Sequence, residues 1–246
     1  MKIKVGRAES AEIANLRDLY RQEADCQVVR DSYLVRGFAD AYLIRVDGQV
    51  GGYALVANKH VENRLIEFYV LPSLRHRASA LFREALCVSG AGQIEAQTNI
   101  PLPAAMLREF ATDIGAEHIL FMDHVPTSLA SNRADFRRST GSDKTDSDWV
   151  LELDGEIVAS GGFLCHYNPP YADVYMEVTL AWRRQGFGSY LVQELKRVCL
   201  EAGKRPAARC NPENDASWRT LERAGFVVAG ALLAGKVNAN AIATGI

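Results

Sequence analysis

The strongest constraint on this fold is internal repetition. Gly51-Gly52-Tyr53 returns as Gly161-Gly162-Phe163, and Ile114-Gly115-Ala116 returns as Ala224-Gly225-Phe226, each 110 positions on. Between these landmarks, Pro72-Ser-Leu-Arg75-His-Arg77-Ala78-Ser-Ala80 lies over Leu180-Ala-Trp-Arg183-Arg-Gln185-Gly186-Phe-Gly188, at a spacing of 108. Three separate matches at nearly one spacing mark a tandem duplication. Each copy also holds an Asp-Gly pair, Asp47-Gly48 and Asp154-Gly155, between two strand-like runs. That pattern predicts a β-hairpin in both. A chain of 246 residues divides naturally into two domains of this kind.

Further elements follow from periodicity. Met1–Val5 and Leu65–Val70 read as strands, and Ser10 as a cap for a helix carrying Ile13, Leu16, Leu19 and Tyr20. Ala80–Val88 and Met106–Ile114 read as helices, Gln93–Thr98 and His118–Met122 as strands. The polar stretch Ser128–Asp148 reads as a mobile connection. The expected domains are therefore 1–125 and 126–246. The second begins late, since little before Trp149 resembles the opening strand and helix of the first.

The second copy holds the chemically suggestive turn. A strand-like run, Val174–Leu180, meets Arg183-Arg-Gln-Gly186-Phe-Gly188 and opens into a helix with Leu191, Leu195, Val198, Cys199 and Ala202 on one face. Backbone N–H groups at a helix start lack intrahelical partners and lie at the positive end of the dipole. Glycines at 186 and 188 let the main chain approach an anion closely, and Arg183, Arg184 and Gln185 add donors. The bland alternative is a helix entry with a solvated basic turn. The Gly-x-x-x-x-Gly-Lys loop is absent, and Leu191 stands where Gly-x-Gly-x-x-Gly needs its third glycine. In the first copy Ala78 and Ala80 replace the two glycines, so that turn is expected to have lost any anion site.

Composition removes several classes. With 48% apolar and 24% charged residues and a net charge of −2, the chain offers no bulk attraction to nucleic acid or an anionic membrane. Five cysteines without Cys-x-x-Cys spacing read as reduced thiols, and the chain opens on a strand rather than a signal peptide. A cytoplasmic protein is expected. His166 has no His or Cys at ligand spacing, so no metal is expected.

Residues 149–235 resemble the GNAT acyltransferase superfamily, whose members move an acyl group from coenzyme A to an amine. The resemblance rests on Arg183-Arg-Gln-Gly186-Phe-Gly188, the preceding Met176-Glu-Val-Thr-Leu180, and Asn214-Asp-Ala-Ser217 opening a helix that ends at Ala224-Gly225-Phe226. It implies an α/β (α+β) fold of two tandem GNAT-like units, each a mixed, mainly antiparallel sheet flanked by helices, the first degenerate. It further implies acetyl-CoA as co-substrate. Main-chain groups of Val178 and Leu180 would bind the pantetheine arm. Arg183, Arg184, Gln185, Gly186, Phe187, Gly188 and Ser189 would hold the pyrophosphate, and Asn214 and Ser217 would touch the far side of the arm. Asn214 fits a plain helix cap equally well.

Acyl transfer to an amine needs a base, a polarised carbonyl and a protonated leaving group. Strand alternation sets Asp173, Tyr175 and Glu177 on one face, with Glu177 nearest the turn as the candidate base. The resemblance gives the carbonyl contact to the Val178 N–H. Where many members carry an acidic tyrosine, this chain has Leu221, leaving solvent or Tyr167, Tyr171 or Tyr175. The stretch His166-Tyr-Asn-Pro-Pro-Tyr171-Ala-Asp173 either lines an acceptor pocket favouring a cation or is a rigid connector. Direct transfer requires no covalent enzyme intermediate, for which Cys165 or Cys210 would be the candidates. The expected partner is a small-molecule or peptide amine, with neither nucleic acid nor membrane, and a homodimer is compatible with the sequence. The competing readings are a non-catalytic acyl-CoA-binding regulatory module and an inert structural protein.

Overall fold

A computed structural model describes residues 2–23, 26, 30–60, 63–165 and 169–243. It divides into unit 1, Met1–Glu117 with Gly230–Ile246, and unit 2, His118–Ala229. Unit 1 contains β1 (Ile3–Ala8), α1 (Ser10–Gln22), α2 (Asp31–Val35), β2 (Ala39–Val46), β3 (Gln49–Ala57), β4 (Arg64–Val70), a 3-10 turn (Pro72–Arg77), α3 (Ala78–Ser89), β5 (Gln93–Gln97) and α4 (Pro101–Phe110). The chain then passes through β6 (Ala111–Asp123) into unit 2. There follow β7 (Asp135–Arg138), β8 (Trp149–Leu153), β9 (Glu156–Leu164), β10 (Tyr171–Val178), a 3-10 turn (Leu180–Trp182), α5 (Phe187–Glu201), β11 (Arg205–Cys210) and α6 (Asp215–Arg223). Finally β12 (Phe226–Val237) returns to unit 1, which ends with α7 (Ala239–Ala243).

The strand orders are β1-β2-β3-β4-β5-β12 and β6-β11-β10-β9-β8-β7. Among the described residues, β4/β5 and β10/β11 are the parallel pairs within the units and the other pairs are antiparallel. This is the expected pair of mixed, mainly antiparallel sheets with helices. Both Asp-Gly hairpins form: Asp47 and Gly48 take φ of 50° and 86°, Asp154 and Gly155 take 51° and 82°. Those left-handed pairs suit a two-residue turn whose twist matches its strands.

The division differs from a cut at 125/126. The late part of β6 pairs with β11, with Ile119 opposite Cys210 and Met122 opposite Ala207. The late part of β12 pairs with β5, with Leu232 opposite Gln97 and Lys236 opposite Gln93. Each unit is thus completed by a strand from beyond its own half of the sequence. Two local expectations need correction. The helix read over Met106–Ile114 ends at Phe110, because Ala111 is already extended (φ −121°, ψ 155°) and leads into Thr112 and Ile114, poor helix formers. Nor is Ser128–Asp148 a free connection. Asp135–Arg138 is an edge strand on β8, and Arg137 bridges Asp143 at 2.7 Å and Glu152 at 2.5 Å.

Packing decides which sheet face is open. In unit 1, α3 and α4 bury Leu81, Phe82, Ala85 and Phe110 against Phe68 and Ile94. Helix α1 covers the other face, with Ile13, Leu16 and Tyr20 against Leu43, Tyr53 and Leu55. Unit 2 keeps the first layer: Leu191, Val192 and Leu195 of α5 pack with Leu151, Val158, Val174 and Phe226. Among the described residues it has no helix before α5, hence no counterpart of α1.

Candidate active site

The site starts where two strands part. Strand β10 pairs with β11 only from Tyr171 to Val174, while its pairing with β9 runs on to Val178. Thr179 N–H donates to Val158 O at 3.0 Å, so the odd-numbered residues of this stretch bond toward β9. Antiparallel alternation then turns the N–H and C=O of Met176 and Val178 into the gap left by β11. Arg183 Nε takes up Val178 O at 3.1 Å, from that side.

The following turn can be compared with its counterpart atom by atom. Leu71 caps the 3-10 turn of unit 1 with φ −52°, ψ 140°, and Thr179, 108 positions on, does so with φ −51°, ψ 135°. Leu74 N–H donates to Leu71 O at 2.8 Å, and Trp182 N–H to Thr179 O at 2.9 Å. Arg75 Nε reaches Val70 O at 3.3 Å, as Arg183 reaches Val178 O. The paths then separate. Ala78 takes φ −53°, ψ −42° and α3 begins at once. In unit 2, Arg184 (φ 62°) and Gly186 (φ 91°, ψ −8°) carry a left-handed detour before α5.

That detour leaves donors free. No side chain caps α5, and its first intrahelical bond is Tyr190 N–H to Gly186 O at 3.1 Å. Among the described residues the amides from Arg184 to Ser189 find no protein acceptor. One outer nitrogen of Arg75, Nη2, is held by Glu23, whereas Arg183 has no carboxylate partner among the described residues. The second turn thus combines a left-handed detour, amides without a protein acceptor and an arginine without a carboxylate partner among the described residues. The reason for each glycine is specific. A Cβ at Gly186 would meet only Asn132 Nδ2, at 3.5 Å, so its positive φ is what requires glycine. A Cβ at Gly188 would lie 3.2 Å from Val178 Cγ2 and 3.4 Å from Thr220 Cγ2, so this position sets how closely α5 approaches β10 and α6. Asn132 Nδ2 also donates to Gln185 O at 2.7 Å, holding the turn from outside.

A cleft of about 830 Å³ opens here, lined by Glu177, Val178, Arg183, Arg184, Gly186, Gly188, Ser189, Asn214 and Ser217 among the residues singled out from sequence. Leu180, Gln185, Phe187 and Tyr175 do not line it. Leu180 is exposed beside it, and Phe187 is buried against Trp182. Asn214 is the N-cap of α6, its Oδ1 accepting from Ser217 N–H at 3.0 Å. The cleft also exposes Arg219 and Arg223, which sequence reasoning passed over although their four-residue spacing puts both on one side of α6.

On the face away from α5, Glu177 is exposed, and its cross-strand neighbour is Ser160, whose hydroxyl meets those of Thr145 (3.4 Å) and Ser147 (3.3 Å). Tyr175 lies over Gly162, where a Cβ would come 2.7 Å from its hydroxyl, so the glycine makes room for the ring. Tyr171 and Asp173 are buried and outside the cleft, and Asp173 is ion-paired with Arg209. Tyr167 and His166 fall outside the described residues. Leu221 is buried in the core of unit 2. Burial raises the thiol pKa of Cys210, which weakens it as a nucleophile. Among the described residues no three His, Cys, Asp or Glu side chains group to hold a metal, and no helix is long and apolar enough to cross a membrane.

A mixed sheet whose parallel pair splays beside an uncapped helix start defines the acyl-CoA N-acyltransferase class of fold, built here twice in tandem. Residues 113–226 match the model of the Acetyltransferase (GNAT) family, a stretch that takes in all of unit 2 but its last three residues. The structure is similar to an acetyltransferase of the GNAT family from Colwellia psychrerythraea, at 15% identity and TM-score 0.77, covering 96% of this chain and 100% of that one. It also resembles a tandem GNAT protein from the clavulanic acid biosynthesis pathway, at 13% identity and TM-score 0.62, covering 96% and 99%. A GCN5-related N-acetyltransferase from Sphaerobacter thermophilus follows at 15% identity and TM-score 0.53, covering 92% and 85%. At such identities the likeness speaks to the fold. No curated protein matches the chain in sequence.

Proposed function

We propose that unit 2 transfers an acetyl group from acetyl-CoA directly to a primary amine of a small molecule or peptide, and that unit 1 serves as scaffold. The observation that carries this reading is the run of amides from Arg184 to Ser189 without a protein acceptor among the described residues, next to the Val178 N–H turned into the gap left by β11. Those amides, with Arg183 and Arg184, would hold the diphosphate. Val178 and Leu180 would bond the pantetheine arm, flanked by Asn214 and Ser217. When bound, the thioester supplies an activated acyl group. The N–H of Val178 would donate to its carbonyl oxygen as negative charge grows there. Glu177, one residue earlier and exposed, would take the proton of the incoming ammonium, directly or through a water. With Leu221 buried, the leaving thiolate takes its proton from solvent.

In unit 1 the position 108 before Glu177 is Tyr69, and Ala78 replaces Gly186. That copy thus lacks both the base and the left-handed turn. The buried Leu221 also favours a second reading, a non-catalytic acyl-CoA-binding module. Glu177→Gln separates the two. The enzyme reading expects turnover to fall by roughly 10²–10⁴-fold, with coenzyme affinity by calorimetry unchanged. Undiminished turnover in that variant removes Glu177 as base. A wild-type protein that binds acetyl-CoA yet acetylates nothing in a broad amine screen supports the module.

A further inference from the structure

The cleft carries more positive charge than a diphosphate needs. Arg183 and Arg184 line it from the turn, and Arg219 and Arg223 line it from α6. The latter two are four residues apart, about 6 Å along the helix axis. Thr220, between them, is the α6 residue a Cβ at Gly188 would meet at 3.4 Å, so this helix edge borders the first turn of α5. All four arginines are exposed, and among the described residues none forms an ion pair. Elsewhere in unit 2, Arg197 pairs with Glu194 and Glu201, Arg137 with Asp143 and Glu152, and Arg209 with Asp173. Glu177 and Asp215 are the carboxylates in the cleft, and neither is within ion-pair distance of the four.

The free amides and the turn arginines suit the diphosphate, which leaves the α6 pair for a second anion on the same ligand. Two guanidiniums at this spacing match a phosphomonoester, which carries close to two charges at neutral pH. We propose that Arg219 and Arg223 bind the 3′-phosphate of coenzyme A and make unit 2 select the complete coenzyme over forms lacking that group. The assignment rests on the coenzyme reading given above.

Calorimetric titration of the intact chain with coenzyme A and with dephospho-CoA, which lacks only the 3′-phosphate, tests it. Wild-type protein should bind dephospho-CoA roughly tenfold more weakly, the scale of charge-assisted contacts at a screened rim. The Arg219→Ala/Arg223→Ala variant should bind both ligands alike, at about the wild-type level for dephospho-CoA. Both substitutions lie on an exposed helix edge, and an unchanged circular dichroism spectrum checks the fold. Equal wild-type affinity for the two ligands, or an equal loss for both in the variant, overturns the assignment and leaves the coenzyme reading standing. Binding of neither ligand by the wild type overturns both.

Discussion

Replacing Gly186 by alanine tests the turn on which the coenzyme reading depends. The residue sits at φ 91°, ψ −8°, and a Cβ there has no neighbour nearer than Asn132 Nδ2 at 3.5 Å. Crowding is therefore excluded and the cost is conformational. An L-residue held in the left-handed region loses about 1–2 kcal/mol relative to the right-handed one. The chain already contains the relaxed alternative, since Ala78 at the equivalent position adopts φ −53°, ψ −42° and the helix starts without a detour. If the relaxed turn does not present its amides, the competent fraction falls to roughly 3–16%, and apparent affinity for coenzyme A drops roughly 6- to 30-fold. The unliganded protein should lose at most the same 1–2 kcal/mol, a few degrees in Tm for about 250 residues. Gly186→Asn should retain more affinity than alanine, because asparagine tolerates this region better. Titration calorimetry on the three proteins measures the effect. Wild-type affinity in Gly186→Ala would refute the argument that the left-handed turn creates the site.

Two further predictions concern the frame of unit 2. Lys196 is buried on α5, donates to Ala224 O at 2.7 Å and Val125 O at 2.9 Å, and pairs with Asp123 at 2.5 Å. Lys196→Met leaves these acceptors without a donor and should cost about 3 kcal/mol, at the low end for a broken buried pair because Asp123 is partly exposed; a Tm drop under 2 °C contradicts this. Burial pushes the Cys199 thiol up to about 12, from an ordinary value near 8.5. Between these values the unfolded chain gives up the proton and the folded one keeps it, so stability falls as pH rises, by up to about 1.4 kcal/mol per unit. Urea titrations from pH 8 to 11 should show a shallower decline for Cys199→Ala, and parallel curves would exclude the thiol as the cause.

Much of this was legible because the informative residues act locally. The Asp-Gly pairs dictate their turns, and a helix start after Gly186 follows from the periodicity of Leu191 and Leu195. The spacing of 108 survives as matching dihedrals and hydrogen bonds at Leu71 and Thr179. Ala78 against Gly186 was readable as a loss because the difference is one of backbone freedom. Strand β7 escaped notice since an edge strand held by Arg137 carries little apolar alternation. Asp173 read as a candidate acceptor-pocket residue because its ion-pair partner, Arg209, lies on a neighbouring strand that sequence order does not reveal. The role of Gly188 in spacing α5 from Val178 and Thr220 is likewise a tertiary fact, and so is the placing of Arg219 and Arg223 on the cleft.

The crossed assignment of β6 and β12 bears on how such a protein comes to be made. During synthesis unit 1 waits for residues 232–236, translated after the whole of unit 2, before β5 gains its antiparallel neighbour. Unit 2, in turn, takes the strand beside β11 from the end of β6, ahead of the second repeat's own hairpin. A gene cut at the midpoint would yield two fragments, each missing a rib of its sheet. With strands shared in this way, deleting the first half of the sequence would also remove a strand from the second sheet.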